Sequence, residues 1–542
     1  MRLECNGERL QAMRQMRTRW GAGGVAAAWL WVAAAGEAPA PAGEAAAEAE
    51  ASRRLERGDY QGAAALYEQV LSGSEPAFGP LFGLARAYHE AGDAPAFEAA
   101  IRRLLAFDPR RAEVFVLIGV RAQRDGRFAD AEKAYRRALE LQPDQIDGLS
   151  GLAEVCLAQG FREEGLGYLR RIAARYPSNV AVLWLLARSV EDPEEERRIY
   201  TQILAASPQG DEVARGRLNL LEALTHGGFM NISGLLKPER VRLFFTPSRT
   251  SKAQFISQED GPMGTGYHRR ATPNTPFVHV KVNGQGPFNF LLDTGTQGIH
   301  VSRTLMRRLG LVSYGTSKFE GLGLQAALYG DIVFLDSLHL DKVEVRRVPA
   351  EGIDLVGIGD GILNPAALRQ LRVHLENSRR TLTLSRFPEP GESDPMRPRA
   401  DNRRGRPVTL PFLSFSGQIV IRVEIQGMPA NALIDTGAES SVLDLSVLRK
   451  LPGLDASPAA GYGVSLEGIS GEVVEAQVVR EVQINLAEEN LRIENLFAAD
   501  LRRLANFYGP EIHAVLGMKQ LALFDVTFDF RRHQITFQRI LR

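Results

Sequence analysis

Residues 288–311 read FNFLLDTGTQGIHVSRTLMRRLGL, and residues 431–451 read NALIDTGAESSVLDLSVLRKL. Each stretch passes from an apolar run into Asp-Thr-Gly, then into a second apolar run and a short helical pattern. A lone Asp-Thr-Gly turns up by chance in about a tenth of chains this long, so the weight lies in the repetition and its context. Upstream, FVHVKV (277–282) and IVIRVEI (419–425) alternate with period two, as half-buried strands do, and each ends at a glycine turn. Downstream, each copy has a Gly-rich hairpin, FEGLGLQ at 319–325 and LEGISGE at 466–472. Each copy closes on a matching stretch, RVHLENSRRTLTL at 372–384 and DVTFDFRRHQITF at 525–537. The chain beyond about residue 273 is therefore a duplicated, mainly β region.

The chain ahead of it repeats differently. Gly58, Gly92, Gly126 and Gly160 stand 34 residues apart, each before an amphipathic helical segment, and Pro109, Pro143 and Pro177 keep the same spacing. This period and punctuation resemble tetratricopeptide repeats over about residues 46–208. The resemblance implies stacked helix pairs that offer a surface to a protein partner.

The duplicated region resembles the retropepsin-like and pepsin-like aspartic proteases, in their bacterial retropepsin-like branch, over about residues 274–540. The fold expected is an all-α solenoid followed by two retropepsin-like β-barrel lobes in a pseudo-twofold pair within one chain. Asp293 and Asp435 would be the catalytic dyad. Peptide hydrolysis by this route needs one carboxylate to take a proton from water while a protonated carboxyl polarises the scissile carbonyl. Two carboxyls about 3 Å apart share one proton, so one residue type serves as acid and base. The resemblance implies that Thr294 and Thr436 cross-link the two loops. It makes Gly295 and Gly437 the tight turns, by glycine's backbone freedom. Gly321, Gly323, Gly468 and Gly471 would be the flexible points of flaps over an extended peptide or protein substrate. The first copy departs from the pattern at Thr296, at His300, which stands where the second has Val442, and at Asn364, which stands where the second has Gly517. Asn364 is expected to supply a left-handed backbone in glycine's place.

Composition bounds the alternatives. The 542 residues carry 65 basic and 65 acidic side chains, which argues against a nucleic-acid partner. The two cysteines, Cys5 and Cys156, offer no disulfide framework, and the nine histidines sit at no metal-ligand spacing. No metal and no cofactor is expected. Arg14, Arg17 and Arg19 precede the apolar run Val25–Ala35 and a small-residue stretch, the order of a cleavable export signal. The expected layout is a signal peptide over 1–38, a flexible spacer over 39–50, helical repeats over 51–208 and a linker over 209–272, within which NISGLLKPERVRLFF (231–245) is expected to form a short helix and a strand. The first lobe then spans 273–388, an inter-lobe linker 389–406 and the second lobe 407–542. The expected protein is an exported bacterial monomer, periplasmic or extracellular, with no membrane span once the signal is removed. Two functions stay open: an aspartic endopeptidase with an interaction module, or a non-enzymatic scaffold carrying a relic protease domain.

Overall fold

The computed structural model describes residues 42–541, except 74–76, 208, 225–228, 236, 247–274, 320–327, 356–357, 390, 395, 397–403, 452, 455, 458–463, 468–472 and 502–508. The expected signal peptide, 1–38, lies outside the described residues. The expected spacer, 39–50, is helical from Ala42. Its Ala and Glu residues, read as flexibility, are strong helix formers.

The chain divides into two compact units, one of residues up to Cys156 with Glu163–Arg175, the other of Leu157–Arg162 with Tyr176–Arg542. The first holds consecutive helices α1 (Ala42–Glu56), α2 (Tyr60–Gly73), α3 (Phe78–Ala91), α4 (Ala94–Phe107), α5 (Ala112–Arg124), α6 (Phe128–Leu141) and most of α7 (Ile146–Ala158) and α8 (Arg162–Arg175). The 34-residue glycines turn one helix into the next. Gly58, Gly92 and Gly126 have φ of 83°, 75° and 76°. The Gly92 and Asp93 amides donate to the His89 and Tyr88 carbonyls, which closes α3 in a left-handed cap. The repeats' other glycines make room. An ideal Cβ on Gly119 or Gly151 would lie 2.6 Å or 2.5 Å from Cε1 of the buried Tyr135 ring. Tyr135 therefore packs against two helix backbones, and its hydroxyl donates to Oε1 of Gln123 at 3.0 Å.

The second unit begins with α9 (Val180–Ser189), α10 (Pro193–Ala206) and α11 (Glu212–Ala223). The first lobe follows as β1 (Asn231–Ser233), β2 (Glu239–Thr246), β3 (Thr275–Val282), β4 (Gln285–Leu292), β5 (Ile299–Ser302), α12 (Arg303–Leu309), β6 (Gly315–Phe319), β7 (Leu328–Leu340), β8 (Val343–Ile353), β9 (Gly361–Leu363), β10 (Arg372–Glu376) and β11 (Thr381–Ser385). The second is β12 (Arg404–Phe415), β13 (Gln418–Ile425), β14 (Met428–Ile434), β15 (Val442–Asp444), α13 (Leu445–Lys450), β16 (Ala456–Ser457), β17 (Val464–Glu467), β18 (Val473–Leu486), β19 (Glu489–Ala499), β20 (Ala514–Leu516), β21 (Phe524–Asp529) and β22 (Gln534–Ile540).

The lobes share one topology. β4 runs parallel to β9, and β5 pairs antiparallel with β9 and parallel with β8. In the second lobe β14 runs parallel to β20, and β15 pairs antiparallel with β20 and parallel with β19. The matching closing stretches are hairpins that join the lobes. A sheet runs β2–β11–β10–β21–β22–β12, with Val373 opposite Phe528 and Leu375 opposite Val526 at its centre. Buried side chains of both lobes and this sheet form one core.

Two expected boundaries change. The segment 209–272 is not simply a linker, because α11, β1 and β2 occupy it as far as Thr246. β2 buries Val241 and Leu243 in the core and pairs with β3 and β11. The strand expected within NISGLLKPERVRLFF (231–245) is thus present as β2. The inter-lobe linker 389–406 likewise ends early, since β12 starts at Arg404.

The close fit of Tyr135 generates a stability prediction. Gly151→Val places a branched side chain inside the Tyr135 ring, and overpacking of this kind costs about 3 kcal/mol. Urea unfolding of the full chain followed by far-ultraviolet circular dichroism is expected to show that loss in the helical transition. Gly73→Val is expected to spare it, because nothing lies within 4 Å of a Cβ there.

Candidate active site

β4 and β14 deliver the two acids. On β4, Phe288, Phe290 and Leu292 are buried, and on β14 so are Ala430, Ala432 and Ile434. This inward stripe anchors each strand and leaves the next residue, Asp293 or Asp435, at the lobe interface. The amides of Asp293 and Asp435 donate to the carbonyls of Leu363 and Leu516, each at 3.0 Å. The parallel pairing of β4 with β9 and of β14 with β20 thus ends by fixing the backbone of each acid.

The threonines join the two loops reciprocally. The Thr294 amide donates to Oγ1 of Thr436 at 3.1 Å, and that hydroxyl donates to the Leu292 carbonyl at 2.7 Å. The Thr436 amide donates to Oγ1 of Thr294 at 3.0 Å, and that hydroxyl donates to the Ile434 carbonyl at 2.7 Å. Each hydroxyl gives and receives one bond across the pseudo-twofold axis. Both threonines are buried, so every one of these partners would otherwise be unsatisfied.

The carboxyls of Asp293 and Asp435 are hydrogen-bonded to each other. Burial raises the Asp293 carboxyl well above the usual carboxylate range, and the charge of Asp435 adds to this. Burial also raises Asp435, against the amides of Ala438 and Gly437, which donate to its Oδ1 at 3.0 and 2.9 Å. Asp293 is only 3% exposed, whereas Asp435 is half-buried. The two carboxyls therefore titrate as one pair, and that pair holds a proton above the usual carboxylate range.

The glycines of the triplets act by size and not by backbone freedom, which corrects the expectation for them. Neither Gly295 nor Gly437 has a left-handed φ. An ideal Cβ on Gly295 would lie 2.6 Å from Cγ of Asp435, and one on Gly437 would run into the carboxyl of Asp293. Each glycine is the space that the opposite acid fills. Asn364 needs a similar correction, for its φ is −77°. It caps the short 3-10 turn Pro365–Leu368 by accepting from the Ala366 amide at 2.7 Å. Its Nδ2 donates to the carbonyl of Thr296, and also to that of Gly417 at 3.3 Å. Gly517 at the matching place is not left-handed either; a Cβ there would meet the Ser440 carbonyl oxygen at 2.6 Å.

One contact between the lobes was not legible in sequence. Gln418, the first residue of β13, donates to the Gly295 carbonyl at 2.6 Å, so the second lobe grips the first lobe's loop. Phe415, Val420, Leu433, Pro510 and Ile512 line a small apolar recess beside Gln418. Only a tertiary contact between lobes gives Gln418 its role, so no local pattern marks it. Gly321, Gly323, Gly468 and Gly471 lie outside the described residues. The strands flanking them, β6 with β7 and β17 with β18, do pair as hairpins. Among the described residues, no group of three or more His, Cys, Asp or Glu could hold a metal ion. None of the described helices is long and apolar enough to cross a membrane.

The buried pair makes stability depend on pH. A carboxyl raised in the folded state contributes stability at acid pH, and this is lost as pH rises from about 4 toward the folded value. Asp293→Asn keeps a neutral group at that place and removes this penalty. Its melting temperature is expected to gain on the wild type between pH 4 and pH 7; a constant difference would contradict the raised Asp293 carboxyl.

Comparison with known proteins agrees with this architecture. The family described as aspartyl protease matches residues 278–364 and 421–519, one segment in each lobe. The tetratricopeptide repeat family matches residues 54–118 and 122–189. Cellulose synthase operon protein C of Pseudomonas fluorescens (strain SBW25) is 31% identical over 136 residues, 23% of this chain and 11% of that protein. The chain thus spans about a tenth of that relative's length. Among solved structures, PilW, a widely conserved type IV pilus biogenesis factor, is 19% identical with a TM-score of 0.29, covering 34% of this chain and 84% of PilW. The pilF protein of Pseudomonas aeruginosa is 18% identical with a TM-score of 0.28, covering 33% and 80%. The chain carries tetratricopeptide repeats followed by a domain of the aspartyl protease family, whose two matched segments each contain one of the facing Asp-Thr-Gly loops.

Proposed function

We propose that the protein is an exported aspartic endopeptidase whose Asp293–Asp435 pair activates water against a peptide bond, with the repeats recruiting a protein partner. The observation that carries this reading is the pair itself: two carboxyls sharing a hydrogen bond in a buried loop crossing. Burying a charge without such a partner is costly.

In this reading a water bound between the carboxyls gives a proton to Asp435 as its oxygen attacks the scissile carbonyl carbon. Asp293 gives its proton to the carbonyl oxygen. The resulting tetrahedral diol collapses when a proton passes from Asp435 to the leaving nitrogen and Asp293 takes one back from a hydroxyl. No covalent bond to the enzyme forms, and the dyad ends as it began. The pH–rate profile belongs to the pair and not to either residue.

Turnover of a peptide library at acidic to neutral pH, with and without a statine-type inhibitor, tests the assignment. Asp293→Asn and Asp435→Asn are each expected to lower kcat by about a thousandfold or more. Activity unchanged in either variant removes the dyad from the mechanism, and a wild type that cleaves nothing favours the scaffold function. Export is tested by N-terminal sequencing of the mature protein, with cleavage expected near residue 38.

A further inference from the structure

Helix α11 packs on the first lobe through its backbone. An ideal Cβ on Gly216 would lie 2.8 Å from Cδ1 of Ile332 and 3.0 Å from Cα of Gly315, the first residue of β6. Three residues on, Nδ2 of Asn219 donates to the Tyr314 carbonyl at 3.0 Å. Between them, Arg217 reaches β8, where its Nη2 donates to Oε1 of Glu351 at 2.7 Å. The other oxygen of that carboxylate lies 3.6 Å from Nδ1 of His300, which faces Glu351 in the parallel pairing of β5 with β8. The His300 ring also bonds to the backbone of Gln297. Gln297 belongs to the loop that runs from Asp293 into β5.

We propose that α11 is a working part of the first lobe's half-site. Arg217 holds Glu351, Glu351 orients His300, and His300 fixes the Gln297 stretch of the loop that carries Asp293. All three are positioning residues, since none reaches the carboxyls of Asp293 and Asp435.

The electrostatics require the whole chain. The Glu351 side chain is 15% exposed and that of His300 is 5% exposed. Burial pushes His300 below its ordinary value, against the pull of Glu351, so the ring is neutral near pH 7. Arg217 is then the cation hydrogen-bonded to the Glu351 carboxylate in this half-buried place. Glu196 and Tyr200 of α10 complete the titratable surroundings of Arg217. Without Arg217, the Glu351 carboxylate loses the cation that holds it beside the His300 ring and can leave the place from which it faces that ring. The second lobe supplies the contrast. There Val442 faces Phe497 in the matching register, and both pack with an apolar cluster. The same loop is thus held by apolar packing in one lobe and by a polar relay from a helix in the other.

Hydrogen exchange on the full-length protein tests this without depending on turnover. In Arg217→Met, amides 295–299 are expected to exchange about fivefold faster or more, while amides 437–441 of the other loop keep their rate. His300→Val, which installs the second lobe's residue, is expected to have a similar effect. The double variant is expected to be no worse than either single one. Arg217→Lys is expected to restore part of the protection. Equal acceleration in both loops would mean general loosening and would overturn the proposal, as would strictly additive effects or an unchanged 295–299 segment. A kinetic arm rests on the protease reading: Arg217→Met should lower kcat about tenfold with KM nearly unchanged. If the wild type proves inactive, the protease reading fails while the exchange cycle still decides the role of α11.

Discussion

Two hydroxyls, those of Thr294 and Thr436, hold the β unit's central arrangement. Each donates to a backbone carbonyl of the opposite lobe and accepts the other threonine's amide. Three polar groups per side, an amide, a hydroxyl and a carbonyl, are thereby paired in a buried place. The same bonds fix the distance between the two loops, and so the distance between the acids that follow β4 and β14. Two buried carboxyls would otherwise repel once both ionised, and the lobes would part where they meet. The shared proton removes that repulsion, and the threonines remove the freedom to relax it. The central sheet from β2 to β12 adds a second, broader tie, remote from the acids, so the loops need carry little of the lobes' weight.

The near-symmetry of the lobes is broken around the two acids. Each acid accepts backbone amides of its own loop, Asp293 that of Gly295 and Asp435 those of Gly437 and Ala438, but Asp293 is the deeper of the two. The surroundings are also unequal. Gln418 of the second lobe reaches the carbonyl of Gly295, and Asn364 ties the first loop to Gly417. These extra bonds all bear on the first lobe's loop. It is also the loop whose sequence departs further from the family pattern, so the departures and the added supports coincide.

What the sequence made legible follows from what repeats. Duplication exposed the strands, the triplets and the closing hairpins, because each local pattern could be checked against its copy. The 34-residue period exposed the helical repeats for the same reason. Roles that depend on a neighbour distant in sequence were hidden. Gly295 and Gly437 look like turn glycines until the opposite acid is seen to occupy the Cβ space. Asn364 looks like a left-handed substitute until its side chain is seen capping and bridging. Arg217 and Gln418 carry no local signal at all.

The correction at the glycines bears on how such a site is built. If the triplet glycine served the turn, a residue tolerant of left-handed angles could replace it at moderate cost. Because it serves as space, the penalty falls on the opposite lobe: a methyl on Gly437 displaces the Asp293 carboxyl, and one on Gly295 displaces that of Asp435. Each lobe thus carries part of the other's half-site, and neither half-site is complete alone. Threonine and glycine act as one device. The hydroxyls draw the loops together, and the missing side chains let them come close enough for two carboxyls to share a hydrogen bond.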